Sequence, residues 1–488
     1  MITTIVLGLL LVALIGENYV DHDPVTYYGA WRSPLVIFAP LLVPIPGISL
    51  STIQLLLIAI APFCLVGSRD KPQSIREMHR AIYISLACIA VTFLWGLIRG
   101  GSGYFAYYQV WRFMTALLVA FILTSVMRTP RDLAALGKMV VFAALVKATL
   151  CIYYYWTYLY GKVYPLPEYV TSHDDSIVFA AATLVLAVWI YMKGGKAVWT
   201  AALLMLGYIF YAIVLNDRRI AWVEIAVGAP AIYLLLGPGP LRTQINRWLL
   251  FSSPLILLYV VVGWGREGAL FAPVRAFSST GSVYDPSSLT RQEEIRNLLY
   301  TLVNTGNPIF GTGWGIPYVR LEHYWSNYSA EWTTALYTPH NSLLGMAAFS
   351  GIVGIVGSWG VIPVAAFLAA RGFRRSTEPV PRGATMVAVG LLGAYTVHCY
   401  GDVGLQSLYC NLIFGMALGV AAKVAAWSEA LPATEPVMAP AKGRFAPVPR
   451  PTYGNRGATR GRHEPPPSPK ATPGAVKPNR ASSQRLSR

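Results

Sequence analysis

The chain has 488 residues, is 55% hydrophobic and 12% charged, and sets 39 Lys and Arg against 22 Asp and Glu for a formal net charge of +17. Soluble domains carry about 25% charged residues, so this composition, with a mean hydropathy of +0.48, excludes an ordinary cytosolic enzyme and excludes disorder for most of the chain. The positive charge does not imply nucleic acid as a partner, because it divides by position: residues 431–488 hold 11 Lys and Arg and 2 Asp and Glu, a net +9.

The N-terminus is apolar and has no Lys or Arg before Arg32. A secretory signal would begin with a positive segment, so the run 2–16 reads as a retained first membrane segment. A membrane helix needs about 20 mostly apolar residues. Runs that qualify are 2–16, 34–66, 79–98, 104–127, 134–158, 174–193, 197–215, 219–236, 247–264, 340–370, 384–400 and 405–427. The expected fold is an all-α polytopic membrane protein of about twelve transmembrane helices. The run 34–66 contains Pro40, Pro44, Pro46 and Gly47, and a kink or a re-entrant piece there gives thirteen as the alternative.

Orientation follows from Lys and Arg in the short connections. Fifteen lie in one set of loops, from Arg69, Lys71, Arg76 and Arg80 through to Arg382; five lie in the opposite set, Arg32, Arg99, Lys162, Arg218 and Arg219. The richer side is expected to be cytoplasmic, with both termini there. Residues 1–264 then form the first nine spans, 265–339 a long, partly helical periplasmic loop, 340–430 the last three spans, and 431–488 a tail. The tail, with twelve prolines and no periodicity, is expected to be disordered and reads as a solvated spacer, with contact of its Lys and Arg to anionic membrane lipids as the alternative. Cys64, Cys88, Cys151, Cys399 and Cys410 form no CxxC pair and lie in or beside apolar runs, so they read as core residues with no metal framework.

Ionisable residues inside spans are expensive and mark function by default. Arg112, Lys147 and Glu224 fall in or near spans, and Asp402 in the turn between the last two. The competing reading is mutual pairing, for example of Arg112 or Arg219 with Glu224. Asn216-Asp217-Arg218-Arg219 opens the run 219–236. A helix N-terminus already favours an anion, and arginine adds bidentate donors for phosphate. The loop supplies Asp285-Pro286 and a helix expected over 291–303, with Arg291 in its first turn and Arg296 beyond. Its aromatics (Trp314, Tyr318, Tyr324, Trp325, Tyr328, Trp332 and Tyr337) suit an interfacial belt or sugar stacking. Asn307-Pro-Ile-Phe-Gly-Thr-Gly-Trp-Gly315 only superficially resembles a nucleotide loop, since no Lys-Ser/Thr follows and no βα context exists. Tyr337-Thr-Pro-His340-Asn341 then opens the next span, where a neutral imidazole can act as a general base.

His340-Asn341, nine residues, and Gly351-Ile-Val-Gly354 read H-N-x9-G-x-x-G. This resembles the motif of the bacterial O-antigen ligase family, whose wider superfamily includes O-antigen and exopolysaccharide polymerases. The glycine-rich 307–315 and the layout of spans around a long outer loop are similar too. The resemblance implies a glycan donor on undecaprenyl diphosphate and an acceptor hydroxyl on lipid A core, a glycan or a similar molecule, at the outer face of the inner membrane. It implies His340 as the catalytic residue, Arg218 or Arg219 with Arg291 (or Arg296) as diphosphate ligands, and Asp402 in support; Asn341 of the motif and the span charges Glu224 and Arg112 are further supporting candidates. No carboxylate cluster with metal spacing stands in the loop, so no cofactor and no metal is expected. A polymerase of the same superfamily is the alternative, and a polysaccharide flippase or transporter the alternative of another class.

Overall fold

A computed structural model of the chain describes residues 2–16, 43–45, 48–50, 52–65, 71–164, 166, 169–193, 195–266, 268–278, 286–321 and 335–429. The expected disordered tail, Arg32, Arg69, Asp285 and the loop aromatics Tyr324, Trp325, Tyr328 and Trp332 lie outside these residues.

Among the described residues the secondary structure is helical apart from one short antiparallel hairpin, β1 (Val43–Ile45) with β2 (Ile48–Leu50). The helices in order are α1 (Ile2–Ile15), α2 (Thr52–Leu65), α3 (Gln73–Ile98), α4 (Gly103–Val126), α5 (Pro130–Tyr154), α6 (Asp175–Lys193), α7 (Lys196–Asn216), α8 (Arg219–Leu235) and α9 (Pro240–Gly263). Then come α10 (Ala272–Ser278), α11 (Pro286–Tyr300), α12 (Ser342–Ile352), α13 (Val361–Arg375), α14 (Pro379–Gly401) and α15 (Leu408–Glu429). Among the described residues nine helical stretches are long and apolar enough to cross a bilayer, with α12 and α13 counted together. The other three expected runs form α1 and α2, of 14 residues each, and α8, of 17. The fold is an all-α polytopic membrane protein.

Local chemistry sets the boundaries. The Asp132 carboxylate accepts from the Arg128 and Thr129 amides at 2.7 and 2.8 Å and closes the first turn of α5, satisfying donors that a helix start leaves open. Helix α7 ends at Asp217 in the left-handed region, φ 45°, which turns the chain directly into α8. The core is built on α15, which is buried over nearly its whole length. It packs on α4 through small residues: a Cβ on Gly415 would meet the Ala116 carbonyl oxygen at 2.5 Å, so the two backbones approach as closely as glycine permits.

Two expectations need correction. The run 340–370 is not one helix. Gly351 has φ 59°, ψ −156°, a π turn covers Val353–Ser358, and α13 starts afresh at Val361. The loop helix expected over 291–303 begins at Pro286 and gives way to a π turn at Thr301–Thr305. Proline is pre-set for a first helical position and needs no N–H there, so the helix takes in the serines that follow it. Arg291 therefore lies in the second turn, away from the free amides of the helix start.

Candidate functional site

The segment 307–315 is the platform on which the site rests. Its amides at Thr312 and Gly313 donate to the carbonyls of Ala348 and Phe349, both at 2.8 Å, and the Ile352 and Val353 amides donate back to Pro308 and Ile309 at 3.0 Å. The break at Gly351 is what frees these groups from the helix ladder. The fit admits no side chain: a Cβ on Gly351 would stand 2.5 Å from the Ile309 carbonyl, and one on Gly313 would stand 2.2 Å from the Gly96 Cα of α3. Buried Trp314 donates its indole N–H to the Thr92 hydroxyl at 2.9 Å, and the Gly315 amide donates to Gln109 Oε1 of α4 at 2.7 Å. The glycine-rich segment is thus a buried joint between α3, α4 and α12. Its backbone donors are spent on protein carbonyls and side chains, which agrees with the rejection of a nucleotide loop.

This joint fixes the residues before α12. Gln109 Nε2 also donates to the Tyr337 carbonyl at 2.8 Å, and the Tyr337 ring stacks on Phe105 at 3.9 Å. Three residues on, His340 Nδ1 lies 3.0 Å from Glu294 Oε2, and Glu294 Oε1 accepts the Asn341 amide at 2.9 Å. One buried carboxylate of α11 therefore holds both the histidine ring and the backbone behind it. Asn341 caps α12, its Oδ1 accepting the Leu344 amide at 3.0 Å. The His340 side chain is 45% exposed, and its Nε2 makes no hydrogen bond with a described residue. Hydrogen bonding to Glu294 raises the His340 pKa above the ordinary value; burial opposes the rise, the Glu294 and Asp402 charges add to it, and Arg291 opposes it. Arg291 and Asp402 are thus both within electrostatic reach of the imidazole.

Asp402 is the second centre. Its Oδ2 lies 3.7 Å from His173 Nδ1 and its Oδ1 accepts the Val403 amide at 2.9 Å. Burial pushes the carboxyl up, but the nearby imidazoles of His173, His398 and His340 outweigh it, holding Asp402 well below the usual range. His173 Nε2 is hydrogen-bonded by Arg218, whose guanidinium lies 4.1 Å over the Tyr169 ring. Arg219 opens α8 beside it. Behind these, Glu224 of α8 is fully buried and paired with His398 of α14. The expected arginine partner of Glu224 is replaced by this histidine. Asp174, raised by burial against the opposing charges of His398 and Arg112, ties Arg112 of α4 into the same cluster. Arg112 also lies 5.1 Å over the Trp111 ring. Lys147 pairs with Asp175 at 2.5 Å, both side chains almost wholly buried, and lies 4.2 Å over Tyr409.

The structure therefore brings together His340, Asn341, Arg291, Asp402, Glu224 and Arg112, with Arg218 and Arg219 at the adjoining start of α8. Arg296 is not brought in: five residues on from Arg291, it faces another side of α11 and is exposed. Glu294, His173, Asp174 and His398 join the site without having been singled out. For Glu294 a signal existed, since it stands one turn from Arg291 and shares its helix face; the others carry none. Among the described residues no group of three His, Cys, Asp or Glu side chains is placed to hold a metal ion.

Residues 204–358 match the family model described as O-antigen ligase. The matched stretch runs from α7 through the paired arginines, α11 and the glycine-rich joint to His340 and the end of the π turn. No curated protein matches the chain. Enzymes of this family are glycosyltransferase-like and act on a lipid-linked glycan and an acceptor. Over this stretch the chain is similar to the O-antigen ligase family, which supports a place in the O-antigen ligase and polymerase superfamily.

Proposed function

We propose that the protein is a ligase-like glycosyltransferase that moves a glycan from undecaprenyl diphosphate to an acceptor hydroxyl on lipid A core or another glycan. The reaction takes place at the periplasmic face of the bacterial inner membrane, with both termini cytoplasmic. The observation that carries the reading is the clamp on His340: Glu294 holds Nδ1 at 3.0 Å and leaves Nε2 without a hydrogen bond to a described residue. With Nδ1–H donated to the carboxylate, Nε2 has its lone pair ready for the acceptor proton. As the acceptor oxygen attacks the anomeric carbon, His340 takes that proton and the bond to the diphosphate breaks. The departing diphosphate gains charge. Arg219 and Arg291 neutralise it more strongly in the transition state than before it, which is how binding becomes rate. Guanidinium groups, not a metal ion, carry this charge in the proposed reaction.

The ligase reading is preferred to the polymerase because of H-N-x9-G-x-x-G. The test is a deletion strain complemented with wild type or His340→Ala, with surface and carrier-linked glycans analysed. A ligase defect leaves long polymer on the carrier, whereas a polymerase defect leaves acceptors capped with a single repeat. Full complementation by His340→Ala would sink the catalytic assignment.

A further inference from the structure

His173 stands beside Asp402 and Arg218 and has no part in the transfer as proposed above. It lies just before α6, with its side chain 37% exposed. The charged and titratable groups facing it come from three elements: Asp402 from the turn between α14 and α15, Arg218 from the turn before α8, and Tyr169 from its own segment, where Asp174 follows it in sequence. Beyond them, His398 and His340 reach Asp402, and His398 and Arg112 reach Asp174. A guanidinium can only donate. Its bond to Nε2 therefore uses the lone pair there and fixes the ring as the neutral tautomer, with Nδ1–H toward Asp402.

That arrangement suits the empty site and does not survive an anion at the start of α8. A phosphate oxygen is a stronger partner for a guanidinium than an imidazole lone pair is. Drawn onto phosphate, Arg218 leaves Nε2 bare, with the Asp402 carboxylate on one side of the ring and a multiply charged anion on the other. Two opposite charges within a few ångströms favour the imidazolium.

We propose that His173 is a ligand of the carrier diphosphate: donor binding moves Arg218 from His173 onto phosphate, His173 takes one proton from solvent, and its Nε2–H then donates to the diphosphate. The inference rests on the reading of the α8 arginines as the diphosphate site. No substrate bond changes in this step. When the anomeric C–O bond later breaks and its electron pair passes to the diphosphate, the imidazolium helps hold the added charge. After release, the proton returns to solvent and Arg218 to Nε2. The two histidines then have opposite requirements, His340 neutral and His173 protonated.

The test uses the full chain in lipid nanodiscs with inorganic pyrophosphate as the probe, so it needs no glycan transfer. Affinity is measured from about pH 6 to about pH 8.5, the range in which histidine titrates, for wild type, His173→Gln and Asp402→Asn. Ionisation of the probe is common to all three, so the ratio of wild type to variant isolates the protein's proton. The advantage of wild type over His173→Gln is expected to shrink about tenfold across the range, the linkage of one proton through about one unit. Parallel curves overturn the proposal. Should His173→Gln fail to fold, Asp402→Asn carries the test: the affinity loss is expected to move to lower pH, and an unmoved loss overturns it. Wild type that binds no pyrophosphate removes the diphosphate site itself, and the proposal with it. A failure of His340 as the base would be read in transfer activity and would leave these curves as they are.

Discussion

Replacing Glu294 by glutamine is expected to damage transfer more than replacing it by alanine, although glutamine keeps the shape. At 3.0 Å an imidazolium and a carboxylate attract by about 5 kcal/mol at an effective dielectric of about 20. The imidazole is 45% exposed, so solvent screens most of this and leaves about 1.5–3 kcal/mol, the worth of a hydrogen bond to a charged group. His340 works as a base only when neutral, so the rate rises as pH rises through its elevated pKa. Removing the carboxylate lowers that pKa, and the acid limb of the Glu294→Ala profile moves to lower pH. Glutamine adds a second injury. The Asn341 amide needs an acceptor and takes the glutamine oxygen, which leaves the NH2 facing His340 Nδ1. The imidazole lone pair is then drawn to Nδ1 and the proton sits on Nε2, the wrong tautomer for the acceptor. The whole general-base contribution, about 10²–10⁴ in rate, is forfeited in Glu294→Gln. The assay is single-turnover transfer from an undecaprenyl diphosphate-linked glycan in nanodiscs, run from about pH 5 to about pH 9 around the histidine range. Wild-type turnover by Glu294→Gln, or an acid limb in Glu294→Ala that does not move, would refute the clamp.

Arg291→Ala is expected to cost about 10²–10³ in turnover, the usual penalty for one transition-state donor. Arg296→Ala, on another side of α11, should cost less than about tenfold by the same measure, and equal losses would show that α11 presents a different face to the donor. Gly351→Ala should lower the melting temperature and abolish transfer together. At φ 59°, ψ −156° the backbone is open essentially only to glycine, and alanine there costs about 1–3 kcal/mol; its Cβ would also press the Ile309 carbonyl from 2.5 Å, and a fully stable, active variant would mean that the joint yields. Lys147→Met alone strands the Asp175 charge in the core and should cost about 3–5 kcal/mol. The double variant Lys147→Met, Asp175→Leu should recover most of that in the same unfolding measurement, and a double variant as unstable as the single would argue against direct pairing.

The division between what the chain showed in one dimension and what it hid follows the range of the interactions. Apolar length fixes spans residue by residue, so most helices could be placed from hydropathy alone. The expensive buried charges could be found in the same way, but their partners could not. Glu224 meets His398 across 174 residues and His340 meets Glu294 across 46. No local pattern encodes a pairing at such separations, so an arginine looked as suitable for Glu224 as the histidine that holds it. Hydropathy is equally blind to the break at Gly351, because glycine, valine and isoleucine continue the apolar run while the backbone leaves the helix.

The spacing H-N-x9-G-x-x-G nevertheless acquires a physical meaning. Asn341 caps α12 and Gly351 ends its regular ladder, so the nine residues between them are the length of helix that spans from the site to the joint. Carbonyls of Ala348 and Phe349 in the last turn of that helix receive the amides of Thr312 and Gly313. The same joint reaches back through Gln109 to Gly315 and Tyr337. His340 is thereby tied at both ends of a short rigid helix to one buried segment, and Glu294 has only to set the ring. A helix one residue longer would rotate the joint by about 100° about its axis relative to the cap, and the glycine contacts, none of which has room for a methyl group at Gly311, Gly313 or Gly351, would be lost. The motif therefore specifies the distance and phase between a base and its anchor, which explains why glycines ten and more residues from the histidine belong to the same site.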